Sequence, residues 1–111
     1  MPGFKPTKVA KHLKAKPEYD RIEAAARAGR QPQQAIWKSL QTALLRVRAD
    51  GQAGEPIPKR SIPQHFVASY GAENLYCFDL ANFYRCFYTI VGREVIFLDI
   101  VDHGQYDKWF E

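Results

Sequence analysis

The sequence predicts an α+β fold in which an N-terminal helical hairpin packs on a small twisted antiparallel sheet, followed by a short C-terminal helical turn. Two segments with helical periodicity and clear stop signals fill the first half of the chain, and three strand-like segments with tight turns follow Asn74. With 111 residues and a hydrophobic fraction of 46%, the chain can form one domain with a packed core.

The first 16 residues contain five lysines and no acidic residue. Like charges repel one another, and the few apolar side chains give this segment little reason to fold alone. We therefore expect residues 1–16 to form either a basic flexible arm or a short edge strand around residues 8–13. Residues 17–111 are expected to form the single domain.

Two helices are expected next. Pro17 suits a first helical position and Gly29 can end the helix, while Pro32 begins a second helix that Gly51 ends. The second helix has one apolar stripe, which indicates an amphipathic helix with one buried face. The stripe consists of Ile36, Leu40, Ala43, Leu44 and Val47.

The sheet is predicted from residues 75–80, 83–91 and 94–102, after a loop over residues 51–65 and a short strand at His65–Ser69. Ala81-Asn82 is interpreted as a two-residue turn, and Gly92-Arg93 suits a type II′ turn. Short turns of this kind set the register of the strands.

This register places Arg85 between Phe78 and Ile100, and Cys77 opposite Cys86. The face that carries Arg85 is otherwise nearly all apolar, and we expect it to pack against the helices. The opposite face is expected to be mixed and partly open, as antiparallel sheets allow. Its members are Asp79, Tyr84, Cys86, Tyr88, Phe97 and Asp99.

Charge is unevenly distributed along the chain. Residues 1–70 contain 13 Lys and Arg against 5 Asp and Glu, whereas residues 71–111 contain 3 against 7. A positive surface favours polyanions through phosphate contacts. The charge distribution is therefore consistent with two alternatives, a nucleic-acid binding surface and an ordinary charged surface. A general RNA-binding protein that uses residues 5–16 and the second helix is one such possibility.

Several classes of protein are disfavoured. No apolar run approaches the ~20 residues that cross a bilayer, and no signal-peptide pattern follows Met1, so we expect a cytoplasmic protein without a membrane partner. Cys77 and Cys86 are too few for a disulfide scaffold and are expected to be buried thiols. The three histidines lack the spacing of metal ligands, so we expect no metal.

The candidate site lies at the end of the predicted sheet. Arg85 must pair with a carboxylate or point into a cleft, because its guanidinium cannot lose its charge. The register makes Asp102 its candidate partner in a structural ion pair, while a phosphate contact is the functional alternative. His103, with an ordinary pKa of ~6.5, can transfer protons at neutral pH.

Other residues could contribute contacts. Tyr106 and Trp109 share one face if the tail is helical, where they would either join the site or anchor the C-terminus. Lys108 lies beside them. Lys59, Arg60 and His65 are candidate phosphate contacts on a loop, with a solvated basic loop as the alternative.

Two short motifs resemble those of a known family. Tyr84-Arg85-Cys86-Phe87-Tyr88 resembles the aromatic/Arg/apolar/apolar/Tyr strand of RelE-superfamily toxins. His103-Gly104-Gln105-Tyr106-Asp107 is similar to the His-x-x-Tyr-Asp ending of HigB-type members. In the order of its elements, the resemblance extends from about Pro17 to Phe110. Family members usually begin with a strand, where this chain is rich in lysine.

The resemblance implies a toxin of a toxin–antitoxin system that cuts mRNA on the ribosome and is neutralised by a protein antitoxin. Cleavage in this family needs no metal or other cofactor, since the 2′-hydroxyl attacks the adjacent phosphate. By this resemblance Arg85 contacts the scissile phosphate, His103 is the acid or base, and Tyr106 orients a base or stacks on it. The same scaffold also implies an alternative, a non-catalytic binding module such as a gyrase-inhibiting or degenerate toxin.

Overall fold

The computed structural model describes residues 3–110. Over these residues the chain forms four α-helices and one five-stranded mixed sheet, together with 3₁₀ turns at Lys59–Ser61 and Ala81–Phe83. In chain order the elements are β1 (Lys8–Lys11), α1 (Lys16–Arg27), α2 (Gln33–Ala49), β2 (Glu55–Pro56), α3 (Gln64–Tyr70), β3 (Tyr76–Asp79), β4 (Arg85–Val91), β5 (Glu94–Val101) and α4 (His103–Phe110).

The two predicted helices are confirmed as α1 and α2. Helix α1 ends just before Gly29, which has a φ of 77° that suits glycine. The apolar stripe of α2 faces inward, where Ile36, Leu40 and Val47 are at most 1% exposed. From α1, the buried Tyr19 donates a hydrogen bond of 2.6 Å to the carbonyl oxygen of Leu98 in the sheet.

The sheet has the strand order β1-β5-β4-β3-β2. Strand β1 pairs in parallel with β5, and the other pairs are antiparallel, so the sheet is mixed rather than wholly antiparallel as predicted. Of the two alternatives for the basic N-terminal segment, the chain adopts the edge strand. Hydrogen bonds from Thr7 to Arg93 and from Gly51 to Phe4 hold the residues before β1 against the rest of the protein.

The predicted register around Arg85 is wrong by one residue on both sides. The connection from β3 to β4 uses the three residues Ala81–Phe83 instead of two, so Arg85 pairs with Asp79 rather than Phe78. On its other side Arg85 pairs with Val101 rather than Ile100.

A β-bulge in β5 causes the second shift. Tyr88 pairs with Phe97 but Cys86 pairs with Ile100, which leaves Leu98 and Asp99 opposite the single residue Phe87. The Gly92-Arg93 turn itself has the predicted two residues, and Gly92 has a positive φ of 63°. The error therefore lies in the bulge and not in the hairpin turn.

The register shift changes which side chains share a face. Cys86, Tyr88 and Phe97 pack with α1 and α2, although the sequence predicted them on the open face. Phe87 and Leu98 lie on the opposite face, in a second apolar cluster with residues of α3 and α4. Both faces of the sheet are therefore covered, where one was expected to be partly open.

Helix α3 covers part of this second face and contradicts the short strand predicted at His65–Ser69. Pro63 precedes the helix, and Gly71 ends it in the left-handed conformation with a φ of 64°. Phe66, at the centre of α3, is fully buried. The helix forms because burying this ring against the sheet outweighs the weak local preference of such a short segment.

The two cysteines are free and buried, as predicted, but they are not opposite each other. Cys86 lies in the cluster with α1 and α2, and Cys77 lies in the cluster on the other face. Burial raises the pKa of the Cys77 thiol to about 12. None of the helices within residues 3–110 has both the length and the apolar character that spanning a membrane requires.

Candidate functional site

Asp102 starts helix α4 and thereby positions the rest of the site. Its carboxylate accepts a hydrogen bond of 2.9 Å from the backbone N–H of Gln105, and its carbonyl accepts one of 3.1 Å from Tyr106. These are the bonds of an N-cap. The ion pair predicted between Asp102 and Arg85 is therefore wrong, because the register shift gives Arg85 another carboxylate.

Arg85 forms its ion pair with Asp79, at 3.0 Å between Nε and Oδ1. The Arg85 side chain is 29% exposed, while that of Asp79 is 74% exposed, so the pair reaches from the sheet into solvent. The Arg85 guanidinium also lies 4.0 Å from the centre of the Tyr106 ring, in a cation–π contact. The Arg85 guanidinium is thus held by the Asp79 carboxylate at Nε and by the Tyr106 ring, over which it lies.

His103 is the first residue of α4 and is 56% exposed. Its Nε2 lies 3.2 Å from a carboxylate oxygen of Asp107, one helical turn further on. Because Asp107 engages Nε2, Nδ1 is the nitrogen that can accept a proton from a ligand.

Arg85 and His103 line the same cavity, which has a volume of about 450 Å³. Among residues 3–110, the cavity is lined by Asp79, Leu80, Phe83, Tyr84, Arg85 and His103. A guanidinium, an imidazole and a carboxylate therefore share one opening with two aromatic rings. These groups can bind an anion and move a proton beside it.

The ring of Tyr106 does not line this cavity. Arg85 lies 4.0 Å from the ring centre, and the Phe110 ring stacks on it at 4.4 Å and 16°. Because two groups so close cannot share one face, they cover opposite faces of the Tyr106 ring. The arrangement leaves no face for a nucleobase, and Tyr106 instead supports the guanidinium.

Phe83 is the residue that the sequence interpretation missed, since it was placed in a strand. It is 80% exposed, and its ring centre lies 6.2 Å from that of His103. Both Asn82 and Phe83 have positive φ values, 57° and 61°. For a bulky residue this backbone costs about 1–3 kcal/mol. Asn82 was an available signal, because asparagine tolerates this conformation.

The strained turn is anchored at both ends. The backbone N–H of Ala81 donates to Oγ of Ser39 on α2 at 3.0 Å, and that of Leu80 donates to the carbonyl of Tyr84 at 2.8 Å. The surrounding structure therefore holds Phe83 outward at the edge of the cavity.

His65 does not join the cavity but belongs to a second network on the same face of the sheet. Its Nε2 lies 2.5 Å from a carboxylate oxygen of Asp99, and its ring stacks on Trp109 at 4.2 Å. Tyr70 donates a hydrogen bond of 2.7 Å to the other oxygen of Asp99. Burial, followed by this hydrogen bond, raises the pKa of Tyr70. The network ties α3 to the bulge of β5 and to α4, where Trp109 anchors the C-terminal helix.

The remaining predicted contacts also lie apart from the cavity. Lys59 and Arg60 are exposed in a 3₁₀ turn before α3, and Lys108 is exposed on α4. None of the three is part of the cavity lining that the structure describes. Any substrate contact from them would have to come from a ligand that extends beyond the cavity.

Comparison with known proteins returned no relative. No protein-family model matches the chain, and no curated protein or solved structure matches it. The resemblance to RelE-superfamily toxins therefore stays a prediction that depends on the short motifs between Tyr84 and Lys108.

Proposed function

We propose that this protein is a ribosome-dependent mRNA endoribonuclease, the toxin of a toxin–antitoxin pair. The observation that carries the proposal is that Arg85 and His103 line one cavity of about 450 Å³. A guanidinium suits a phosphate that gains charge during the reaction, and an imidazole suits proton transfer at neutral pH. The basic N-terminal half of the chain adds attraction for a polyanion.

The proposed reaction begins with the 2′-hydroxyl of the substrate. Nδ1 of His103 takes its proton, and the 2′-oxygen then bonds to the adjacent phosphorus while the bond from phosphorus to the 5′-oxygen breaks. The leaving 5′-oxygen takes up a proton from water, giving a 2′,3′-cyclic phosphate and a 5′-hydroxyl. Arg85 stabilises the charge on the phosphoryl oxygens, and Asp107 orients the imidazole.

The order of elements supports the same family. Strand β1 stands where RelE-superfamily toxins usually have their first strand, and a helical pair follows it. Residues of that pair cluster with one face of the sheet, and α4 carries the His-x-x-Tyr-Asp motif. On this proposal the partners are mRNA on the ribosome and a cognate protein antitoxin.

The test is to map the cleavage ends of ribosome-bound mRNA with purified protein. We expect cleavage by the wild type, and a loss of roughly 100- to 10,000-fold in rate for His103→Ala, the range for removal of a general acid or base. Arg85→Ala should also be strongly impaired. Both variants should relieve the growth arrest caused by expression.

Two matched variants control for loss of a histidine or an arginine elsewhere. His12→Ala and Arg27→Ala change residues outside the cavity lining and should cleave like the wild type. Wild-type expression with no growth defect, together with intact mRNA in the presence of ribosomes, would contradict the proposal.

A second candidate is a non-catalytic binding module on the same scaffold. One observation favours it, namely that Arg85 already has a carboxylate partner in Asp79 and an aromatic support in Tyr106. An arginine held in this way can be purely structural. DNA-damage signalling without mRNA loss would select the gyrase-inhibiting form of this candidate.

A further inference from the structure

We infer that the exposed ring of Phe83 is a stacking surface for one nucleobase of a bound RNA, while Arg85 contacts a neighbouring phosphate. RNA as the ligand rests on the proposed function, whereas the stacking surface itself rests on the geometry of the turn Ala81–Phe83. No role was expected for Phe83 beyond that of a strand residue.

Exposure alone would not single out Phe83, because isolated apolar side chains are common on protein surfaces. Its backbone does. Phenylalanine at a φ of 61° is a true outlier, and such conformations persist only where the surrounding structure imposes them. Here the hydrogen bond from Ala81 to Ser39 anchors the start of the turn on α2. The surrounding structure therefore keeps the Phe83 backbone in a strained conformation while the Phe83 ring stays exposed to water.

The ring is held at one particular place. Phe83 lines the cavity together with Arg85 and His103, and its centre is 6.2 Å from the imidazole. The other aromatic residue of the lining, Tyr84, is half-buried and packs against the cluster with α1 and α2. Tyr106 has both faces covered by Arg85 and Phe110. Phe83 thus offers the broad aromatic surface that a planar ligand entering this cavity can reach.

The spacing suits a nucleotide. Phe83 and Arg85 are two residues apart, and Tyr84 between them is extended, with φ −82° and ψ 156°, so their Cα atoms are roughly 7 Å apart. A base and a phosphate of one strand are separated by a similar span. Stacking on an aromatic side chain tolerates any base, since every base has a π-face. We therefore assign the subsite to nucleobases as a class.

The test uses an RNA trinucleotide that cannot be cut because its 2′-oxygens are methylated. Its affinity is measured by calorimetry, beside analogues that lack one base at a time. We expect Phe83→Leu to weaken binding roughly five- to hundred-fold, the range for loss of one stacked base, and Phe83→Tyr to retain the affinity of the wild type. Leu13→Ala, at an exposed apolar residue outside the cavity lining, should not change binding.

A second readout reports stacking directly. Protons of the stacked base should shift upfield in NMR spectra with the wild type and Phe83→Tyr, and the shift should be lost with Phe83→Leu. Removal of that one base should abolish the difference between wild type and Phe83→Leu. These results would support the inference even if the protein cleaved no mRNA, so the failure of the proposed function can be told apart.

Three results would overturn the inference. The first is that the wild type binds none of the trinucleotides. The second is that it binds all base-free analogues as tightly as the complete one, and the third is that it binds no better than Phe83→Leu. A nucleoside monophosphate bound as tightly as the trinucleotide would overturn RNA as the ligand and point to a free nucleotide.

Discussion

At the scale of single residues, Arg85 shows how far a local chemical rule reaches. The rule that a guanidinium on an apolar sheet must pair or open into a cleft is confirmed, because Arg85 does both. The identity of its partner was wrong. That identity depends on register, and one extra residue in the turn and one in the bulge brought Asp79 and Val101 to its sides.

The position of Tyr106 in the structure suggests a role that differs from the base contact implied by the resemblance. Because its ring supports the Arg85 guanidinium, we expect Tyr106→Phe to keep the contact and Tyr106→Leu to lose it, at a cost of about 1 kcal/mol. The measurement is the ¹⁵Nε and Hε chemical shift of Arg85, which responds to the current of an overlying ring. Under the proposed function, Tyr106→Leu should also lower kcat more than it changes KM.

The pair of variants separates this role from a role of the phenolic hydroxyl. Loss of cleavage in Tyr106→Phe, with the Arg85 shift unchanged, would show that the hydroxyl acts in the reaction and would contradict a purely supporting ring. A Tyr106→Leu spectrum with an unchanged Arg85 shift would contradict the cation–π contact itself.

At the scale of elements, α4 determines where His103 and Tyr106 lie, and Asp102 determines where α4 begins. Removing the capping carboxylate with Asp102→Ala should destabilise the protein or the helix by about 1 kcal/mol. Hydrogen exchange at the amides of Gln105 and Tyr106 should then speed up about fivefold. Urea unfolding and hydrogen exchange measure the two effects.

Asp102→Asn is the control that distinguishes a cap from an ion pair. Asparagine caps helices about as well as aspartate, so this variant should retain most of the stability. Should Asp102→Asn be as damaging as Asp102→Ala, the charge would be essential and the capping role would be contradicted.

The elements also show which parts of the fold a single sequence can predict. Helices α1 and α2 were predictable because a proline marks the start of each segment and a glycine follows its end, and α2 also has a continuous apolar stripe. Helix α3 was not, since it has only seven residues and is stabilised by the burial of Phe66 against a distant strand. The bulge at Leu98 and Asp99 has no glycine to mark it.

The candidate site likewise contains residues that the sequence could predict and residues that it could not. Arg85 and His103 were found because their chemistry is unusual in their setting, and they do line one cavity. His65 was predicted on chemistry alone as a phosphate contact on a loop with Lys59 and Arg60, yet its contacts to Asp99 and Trp109 place it in another network. Phe83 was missed because its backbone conformation, rather than its residue type, sets it apart.

At the scale of the whole molecule, both faces of the sheet bury groups that would ionise in alkaline solution if they were exposed. Burial raises the pKa of Cys77 from 9.0 to about 12, and burial likewise raises those of Cys86, Tyr19 and Tyr88. In the unfolded chain these groups lose their protons at lower pH than in the folded protein. The unfolded state therefore becomes relatively more stable as pH rises.

Because rising pH favours the unfolded state, we predict that the free energy of unfolding falls in alkaline solution. The contribution of Cys77 to the free energy of unfolding should be complete below pH 9 and should fall as pH rises toward about 12, by at most about 1.4 kcal/mol per pH unit. Urea unfolding at several pH values between 8 and 11 measures the slope. Below pH 9, Cys77→Ala should be less stable than the wild type by a constant amount. Above pH 9 its free energy of unfolding should fall less steeply, so the difference from the wild type should shrink.

Thiol reactivity provides an independent check on the same burial. At pH 8, where the folded thiols are protonated and enclosed, Cys77 and Cys86 should react with an alkylating reagent only at the rate at which the protein unfolds. Ser61→Cys places a thiol at an exposed position and should react far faster. Equal slopes for wild type and Cys77→Ala, together with rapid alkylation of Cys77, would show that the second face of the sheet opens to water and is not the packed layer on which α4 and its cavity depend.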